Sequence, residues 1–243
     1  MDVPLYFFEA YKGLNRLSPG NSEVTLSAIE KTGLDKKDNL NILDIACGVG
    51  SSTILLADYF ENSIVEAFDL FRHYVDVLDE KIDENSLHDR VFTYVMDMKD
   101  PDFANEEFDI VFCEASCEII GFKKALNDWK RLLKPNGFMI ISDLSWISKP
   151  SSSSVKFWKN IYSEVDSIEN KIIQIEKEGY DFIDYVTIPK DCWLDYYDKL
   201  EENLNSIKSD SSAKDFVKQL KKEINHFRKN SDDYSYVFYI LQK

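Results

Sequence analysis

The segment Asn41-Ile42-Leu43-Asp44-Ile45-Ala46-Cys47-Gly48-Val49-Gly50 empties an apolar stretch into a turn of small residues. Glycines at 48 and 50 leave room for a ligand to approach the backbone, because no Cβ fills that space. Position 53, where a dinucleotide fingerprint would set a third glycine against a pyrophosphate, is Thr53, so the ligand need not carry a pyrophosphate. Asp69 closes the next apolar run, Val65-Glu66-Ala67-Phe68-Asp69-Leu70, where a carboxylate can accept hydrogen bonds from both hydroxyls of a ribose. Asp97 closes a third run, Tyr94-Val95-Met96-Asp97-Met98; there it could receive an adenine amino group while Met98 packs on the ring. Three successive strand ends thus offer one glycine turn and two carboxylates to a single adenosine. The spacing of Asp69 taken alone also fits a nicotinamide cofactor.

These residues need elements that bring them together. The pattern alternates short β-rich runs with amphipathic stretches: strands over Asn41–Ile45, Ile64–Phe68 and Val91–Met96, with helices over Ser51–Phe60 and Tyr74–Asn85 between them. A βαβαβ series implies a parallel sheet covered by helices. A fourth strand follows at Phe108–Cys113, then a helix over Lys123–Leu133, a stop at Pro135 with a turn at Asn136-Gly137, and a fifth strand over Phe138–Ser142. Beyond residue 145 the pattern predicts helices over Val155–Tyr162 and Lys171–Glu178 and a strand over Phe182–Ile188. A long helical segment from Asp191 to Arg228 precedes a last strand at Tyr234–Leu241.

Residues 40 to 145 resemble the class I S-adenosylmethionine-dependent methyltransferases, in particular the small-molecule branch of the ubiquinone/menaquinone-biosynthesis type. Leu43 to Gly50 resembles that family's first motif and Asp69 its acidic second motif. Asp97 resembles the adenine-side acid, Phe108-Asp109-Ile110-Val111-Phe112-Cys113-Glu114 the fourth motif, and Leu132-Leu133-Lys134-Pro135-Asn136-Gly137-Phe138 the loop before the fifth strand. The stretches Leu5-Tyr6-Phe7-Phe8 and Tyr11-Lys12-Gly13-Leu14-Asn15-Arg16 resemble the N-terminal cap of a bacterial subgroup in which similar stretches cover the cofactor.

The resemblance implies a Rossmann-like, doubly wound α/β fold with a seven-stranded, mostly parallel sheet, an antiparallel last strand and helical lid insertions. It implies one methyltransferase domain over 1–243: a helical cap at 1–39, a cofactor-binding core at 40–145 and a C-terminal part at 146–243 with the lid helices and last two strands. The cofactor implied is S-adenosylmethionine, leaving as S-adenosylhomocysteine. Asp44 would lie near its amino group, Gly48 and Gly50 along its backbone contact, and Asp69 on its ribose. Ala46, Leu70, Met98 and Glu114 complete the expected cofactor contacts with Asp97.

Methyl transfer from a sulfonium is an in-line displacement, so alignment and exclusion of water supply much of the acceleration. An acceptor that must lose a proton would also need a base. The three histidines, His73, His88 and His226, stand in no motif, which leaves Glu114 and Asp143 at strand ends, with Glu114 the expected catalytic group. Aromatic residues flank the core, and Tyr6, Tyr11, Arg16, Trp146 and Trp193 are the expected acceptor pocket, Trp146 foremost. The strand-four end reads Cys113-Glu114-Ala115-Ser116 and lacks the N/D-P-P-Y/F motif of enzymes that methylate the amino groups of DNA bases and glutamine. No secure set of metal ligands is visible, so no metal is expected.

Composition supports a folded domain and restricts its partners. The 243 residues are 44% hydrophobic and 14% aromatic, enough apolar material for a core. With 29 Lys and Arg against 44 Asp and Glu the formal charge is −15, which repels nucleic acid and anionic membrane surfaces. Apolar runs fall short of the ~20 residues that span a bilayer, and the N-terminus lacks the features of a secretory signal. Four cysteines without paired CxxC spacing fit reduced thiols, and a cytoplasmic location is expected. The expected activity is methyl transfer to O, N or C of a small-molecule acceptor in a lidded pocket, with oligomeric state left open. The alternatives are a non-catalytic S-adenosylmethionine-binding or protein-interaction module and a nicotinamide-dependent oxidoreductase.

Overall fold

The structure, a computed structural model, describes residues 4–207 and 211–243, with residues 211 and 212 described by backbone alone. Strands β1 (Asn41–Ile45), β2 (Ile64–Asp69), β3 (Val91–Val95), β4 (Phe108–Cys113) and β5 (Leu133–Trp146) are followed by a two-residue β6 (Asp166–Ser167), β7 (Asp181–Thr187) and β8 (Tyr234–Gln242). The main sheet runs β3-β2-β1-β4-β5-β8-β7, with β6 paired to the end of β5. Strand β8 is antiparallel to both β5 and β7, and the other pairings are parallel. The expected doubly wound sheet is therefore present, with β6 as an additional short strand among the described residues.

Alternation along the central strands sends side chains into two apolar layers. Ile42, Ile110, Phe112 and Ile140 belong to one layer, and Leu43, Val111, Met139 and Ile141 to the other. Both faces are therefore covered, as a sheet of parallel crossovers requires. Strand order reverses at β1, which has β2 on one side and β4 on the other. The crevice beyond the carboxyl ends of these strands is where open α/β sheets bind ligands.

Helices α1 (Leu5–Tyr11), α2 (Ser22–Glu30), α3 (Ser51–Tyr59), α4 (Arg72–Glu84) and α5 (Phe122–Trp129) fill the first part of the chain. The Asn21 side chain caps α2 by accepting from the Val24 amide at 2.9 Å. That helix packs on α3, β7 and β8, so part of the 1–39 segment covers the sheet while α1 rests on the C-terminal helices. On α4, Tyr74, Val75, Leu78 and Ile82 are buried, the helical stripe that holds it to the sheet. Beyond β5 come α6 (Ser152–Trp158), α7 (Ile168–Lys177), α8 (Lys190–Ser206) and α9 (Ser211–Asn230).

Two elements depart from the sequence reading. The helix expected over Lys123–Leu133 gives way to a 3-10 turn at Lys130–Leu132, and β5 already begins at Leu133. Pro135, Asn136 and Gly137 lie inside β5 as a register irregularity opposite β4, with Asn136 left-handed at φ 64°. The segment expected as one helix from Asp191 to Arg228 is two, α8 and α9; residues 208–210 of it lie outside the described residues. No helix of the described residues is long and apolar enough to cross a membrane.

Candidate functional site

Strand β1 ends at Ile45, and the chain turns through Ala46 at φ 57°, Gly48 at φ 54° and Gly50 at φ 80° into α3. Three left-handed residues so close together are easiest where glycine removes the Cβ clash. A Cβ at Gly48 would stand 3.0 Å from Leu17 Cδ1, and one at Gly50 only 2.2 Å from Leu78 Cδ1. Glycine 48 therefore keeps space open beneath the N-terminal segment, and Gly50 lets α4 approach.

Asp69 locks this turn to the end of β2. Its Oδ2 accepts from the Gly48 amide at 3.0 Å and its Oδ1 from the Phe71 amide at 2.9 Å. Thr53, standing where a dinucleotide site would carry glycine, donates to Asp44 Oδ2 at 2.6 Å. Burial raises the Asp44 carboxyl to about 7, opposed by that hydrogen bond. Asp97 holds the turn after β3, accepting from the Lys99 amide at 3.0 Å, and Trp129 donates to the Met98 carbonyl at 3.0 Å.

A cavity of about 470 Å³ opens where these strand ends meet. Asp44, Ala46, Gly48, Asp69, Leu70, Asp97, Met98 and Glu114 all line it, as do Tyr11 and Arg16. Gly50 does not; it supports the turn from behind. Phe7 and Tyr11, one turn apart on α1, form the roof with Phe71 and Leu17, and Tyr6, expected in the acceptor pocket, is not among the lining residues. Tyr6 instead packs on Phe216, ring centres 5.4 Å apart.

Glu114 ends β4 and is already engaged. Its Oε1 lies 2.5 Å from Arg16 Nη1 in a pair whose side chains are 6% and 12% exposed, and its Oε2 accepts from Ser52 at 2.7 Å and Thr25 at 3.4 Å. A carboxylate so engaged serves as an anchor between the N-terminal loop and α3.

A second cavity of about 520 Å³ lies beyond, between the 3-10 turn at Cys117–Ile119, α6, α8, α9 and β8. It shares Tyr11, Leu17, Ser18, Ala115 and Ile119 with the first, so the two adjoin at these residues. Trp193 stands in its wall, stacked on Phe227 and Tyr236. Trp146, the foremost expected pocket residue, lines neither cavity. Strand β5 carries it past the strand ends, where it pairs with Ser167 and Tyr234 in register and meets the Tyr234 ring.

Glu118 was not singled out by sequence. It lines the second cavity with Oε1 accepting from Tyr236 at 2.7 Å, while its buried Oε2 has no hydrogen-bond partner among the described residues. Burial raises its carboxyl to about 7, lowered by the Tyr236 bond and raised by Asp143. Only its position four residues after Glu114, in the 3-10 turn that follows β4, was a signal.

Asp143, the other acid expected near the site, is wholly buried and forms an ion pair with the buried Lys171. It also accepts from Tyr162 at 3.1 Å and from the Cys117 thiol. Cys117, Glu118 and Asp143 bring ligand-type atoms within 4.8 Å of one another, yet the Lys171 ammonium already supplies the compensating cation. No histidine lines either cavity: His73 meets Phe8, His226 stacks on Phe157, and His88 pairs with Asp83.

Comparison with known proteins agrees with this geometry. Residues 42–137 match the family described as "Methyltransferase domain". An uncharacterized protein of Haemophilus influenzae is 32% identical over 142 residues, 56% of this chain and 55% of the relative. Phosphoethanolamine N-methyltransferase 1 of Zea mays is 24% identical over 93% of this chain and 40% of its own length. The chain thus spans about half or less of these curated relatives. A SAM-dependent methyltransferase from Thiobacillus denitrificans, solved with S-adenosyl-L-homocysteine, superposes with a TM-score of 0.84 at 18% identity, covering 99% of both chains. Residues 42–137 thus resemble a methyltransferase domain, and the described chain has the fold of these SAM-dependent methyltransferases.

Proposed function

We propose that the protein transfers the methyl group of S-adenosylmethionine to a small-molecule acceptor, with the donor in the first cavity and the acceptor in the second. The observation that carries this reading is the convergence of the β1 turn, Asp69 and Asp97 on one cavity that adjoins another at Ala115 and Ile119. The whole chain acts as one domain in this account: α1 and the loop through Arg16 roof the donor, and α6, α8 and α9 enclose the acceptor.

Asp69, fixed by two backbone amides, keeps lone pairs for the ribose hydroxyls. Asp97 and Met98 receive the adenine. The Gly48 turn lets the donor's methionyl chain run close to the backbone, and Asp44 faces its ammonium. Arg16 holds Glu114 with one nitrogen and offers its other donors to the methionyl carboxylate. The displacement needs no metal or base for its own sake: the protein aligns nucleophile, methyl carbon and sulfur, and excludes water.

Incubation with methyl-labelled S-adenosylmethionine and a pool of cell metabolites tests the reading. Label should appear in a small product with wild type and be lost with Asp69→Ala. Donor binding without label transfer to any metabolite would favour a non-catalytic binding module instead.

A further inference from the structure

We infer that the second cavity takes a cationic amine, with Glu118 as the group that binds its charge and removes its proton. This rests on the donor reading above only for the transfer step. Among the described residues that line the cavity there is no lysine, arginine or histidine, whereas Glu118 and Glu223 both face it. An anionic acceptor would meet two carboxylates and no counter-charge, an arrangement costly in a desolvated site.

The lining is also aromatic in the way a cation favours. Tyr11, Trp158, Trp193, Tyr196 and Tyr236 contribute rings, and a desolvated cation is attracted to such faces. Glu223 is committed to the Tyr197 hydroxyl at 2.9 Å. Glu118 Oε2 is buried and has neither a hydrogen-bond nor an ion-pair partner among the described residues. It needs a donor, and an ammonium provides one. Its place between Ala115 and Ile119, two of the residues common to both cavities, sets it beside the boundary that a methyl group must cross.

The transfer then balances. The ammonium gives one proton to the Glu118 carboxylate, which frees the nitrogen lone pair. That pair forms the new N–C bond as the C–S bond breaks, and its electrons return to sulfur as a neutral thioether. The product nitrogen carries the positive charge that the sulfonium has lost. Groups facing Glu118 from its neighbours are Tyr236, Asp143 and Glu223, with Asp143 already neutralised by Lys171.

Calorimetric titration at pH 8 of phenethylamine, its neutral isostere 2-phenylethanol, the anion 3-phenylpropionate and phosphoethanolamine tests this, with and without saturating S-adenosylhomocysteine. Phenethylamine should bind at least about tenfold tighter than the alcohol, and the two phosphate- or carboxylate-bearing probes should bind more weakly still. Glu118→Gln should abolish the preference for the cation and leave S-adenosylhomocysteine affinity unchanged, which also reports that the variant folds. Equal binding of the alcohol or either anion, no binding of phenethylamine, or a preference that survives Glu118→Gln would overturn the inference. Phenethylamine binding in a protein that ignores S-adenosylhomocysteine would remove the donor reading and leave the cation site standing.

Discussion

Arg16, in the loop after the first helix, pairs with Glu114 at the end of β4 across 2.5 Å, and both contact the Ser52 hydroxyl. This three-way contact ties the N-terminal cover to the first turn of α3 and to the floor of the first cavity. Removing one partner of a buried pair leaves an uncompensated charge, which costs about 3–5 kcal/mol in a dry interior and less at a rim such as this. Arg16→Leu should therefore destabilise the fold measurably in urea and weaken S-adenosylhomocysteine binding. The double variant Arg16→Leu with Glu114→Leu should recover much of the stability and none of the binding. Full affinity in Arg16→Leu would show that the pair only fastens the cover.

Gly50 serves the backbone rather than the ligand. At φ 80°, and with Leu78 where a Cβ would go, Gly50→Ala should lower the free energy of unfolding by about 1–3 kcal/mol. Adding Leu78→Ala relieves the clash but not the left-handed strain, so no full rescue is expected by urea titration. A Gly50→Ala protein as stable as wild type would refute this account of the turn.

Asp44 should report donor binding as a proton count. Burial holds it at about 7, so at pH 7 roughly half the free protein carries it protonated. An ammonium docked beside it favours the carboxylate, and S-adenosylhomocysteine binding at pH 7 should release about half a proton. Binding enthalpies measured in phosphate and in Tris should then differ in proportion to the buffers' ionisation heats. Identical enthalpies, or a difference that persists in Asp44→Asn, would show that Asp44 is not the group.

Lys171 and Asp143 form a fully buried pair beneath the second cavity. Lys171→Met should cost about 3–5 kcal/mol, and Lys171→Met with Asp143→Leu should cost much less. Additive losses in the urea series would mean the two charges are not coupled.

Much of the first cavity's lining was legible in the sequence because its parts are local. A glycine turn leaving a strand, and acids at two further strand ends, follow from short-range patterns, and the parallel order brings them together. What was not legible depends on packing between distant segments. Glu114 looked free until Arg16 reached it from the N-terminal loop. Trp146 looked like a pocket residue because nothing local showed β5 running on beside β8. Tyr6 looked like a pocket residue, but the face of a helix as short as α1 is set by its docking on α8, which turns Tyr6 onto Phe216 and leaves Phe7 on the first cavity. Glu118 gains its buried surroundings from α8, α9 and β8 closing around a 3-10 turn, and no spacing in the chain encodes that closure.

The central claim is that the first cavity is built for the methyl donor, and parallel calorimetric titrations with S-adenosylhomocysteine and NAD test it most directly. The account predicts one S-adenosylhomocysteine bound per chain with an affinity at least about tenfold reduced by Asp69→Asn, which loses one of the two carboxylate acceptors that fix the turn, and no saturable binding of NAD. Saturable NAD binding with no response to S-adenosylhomocysteine would contradict it.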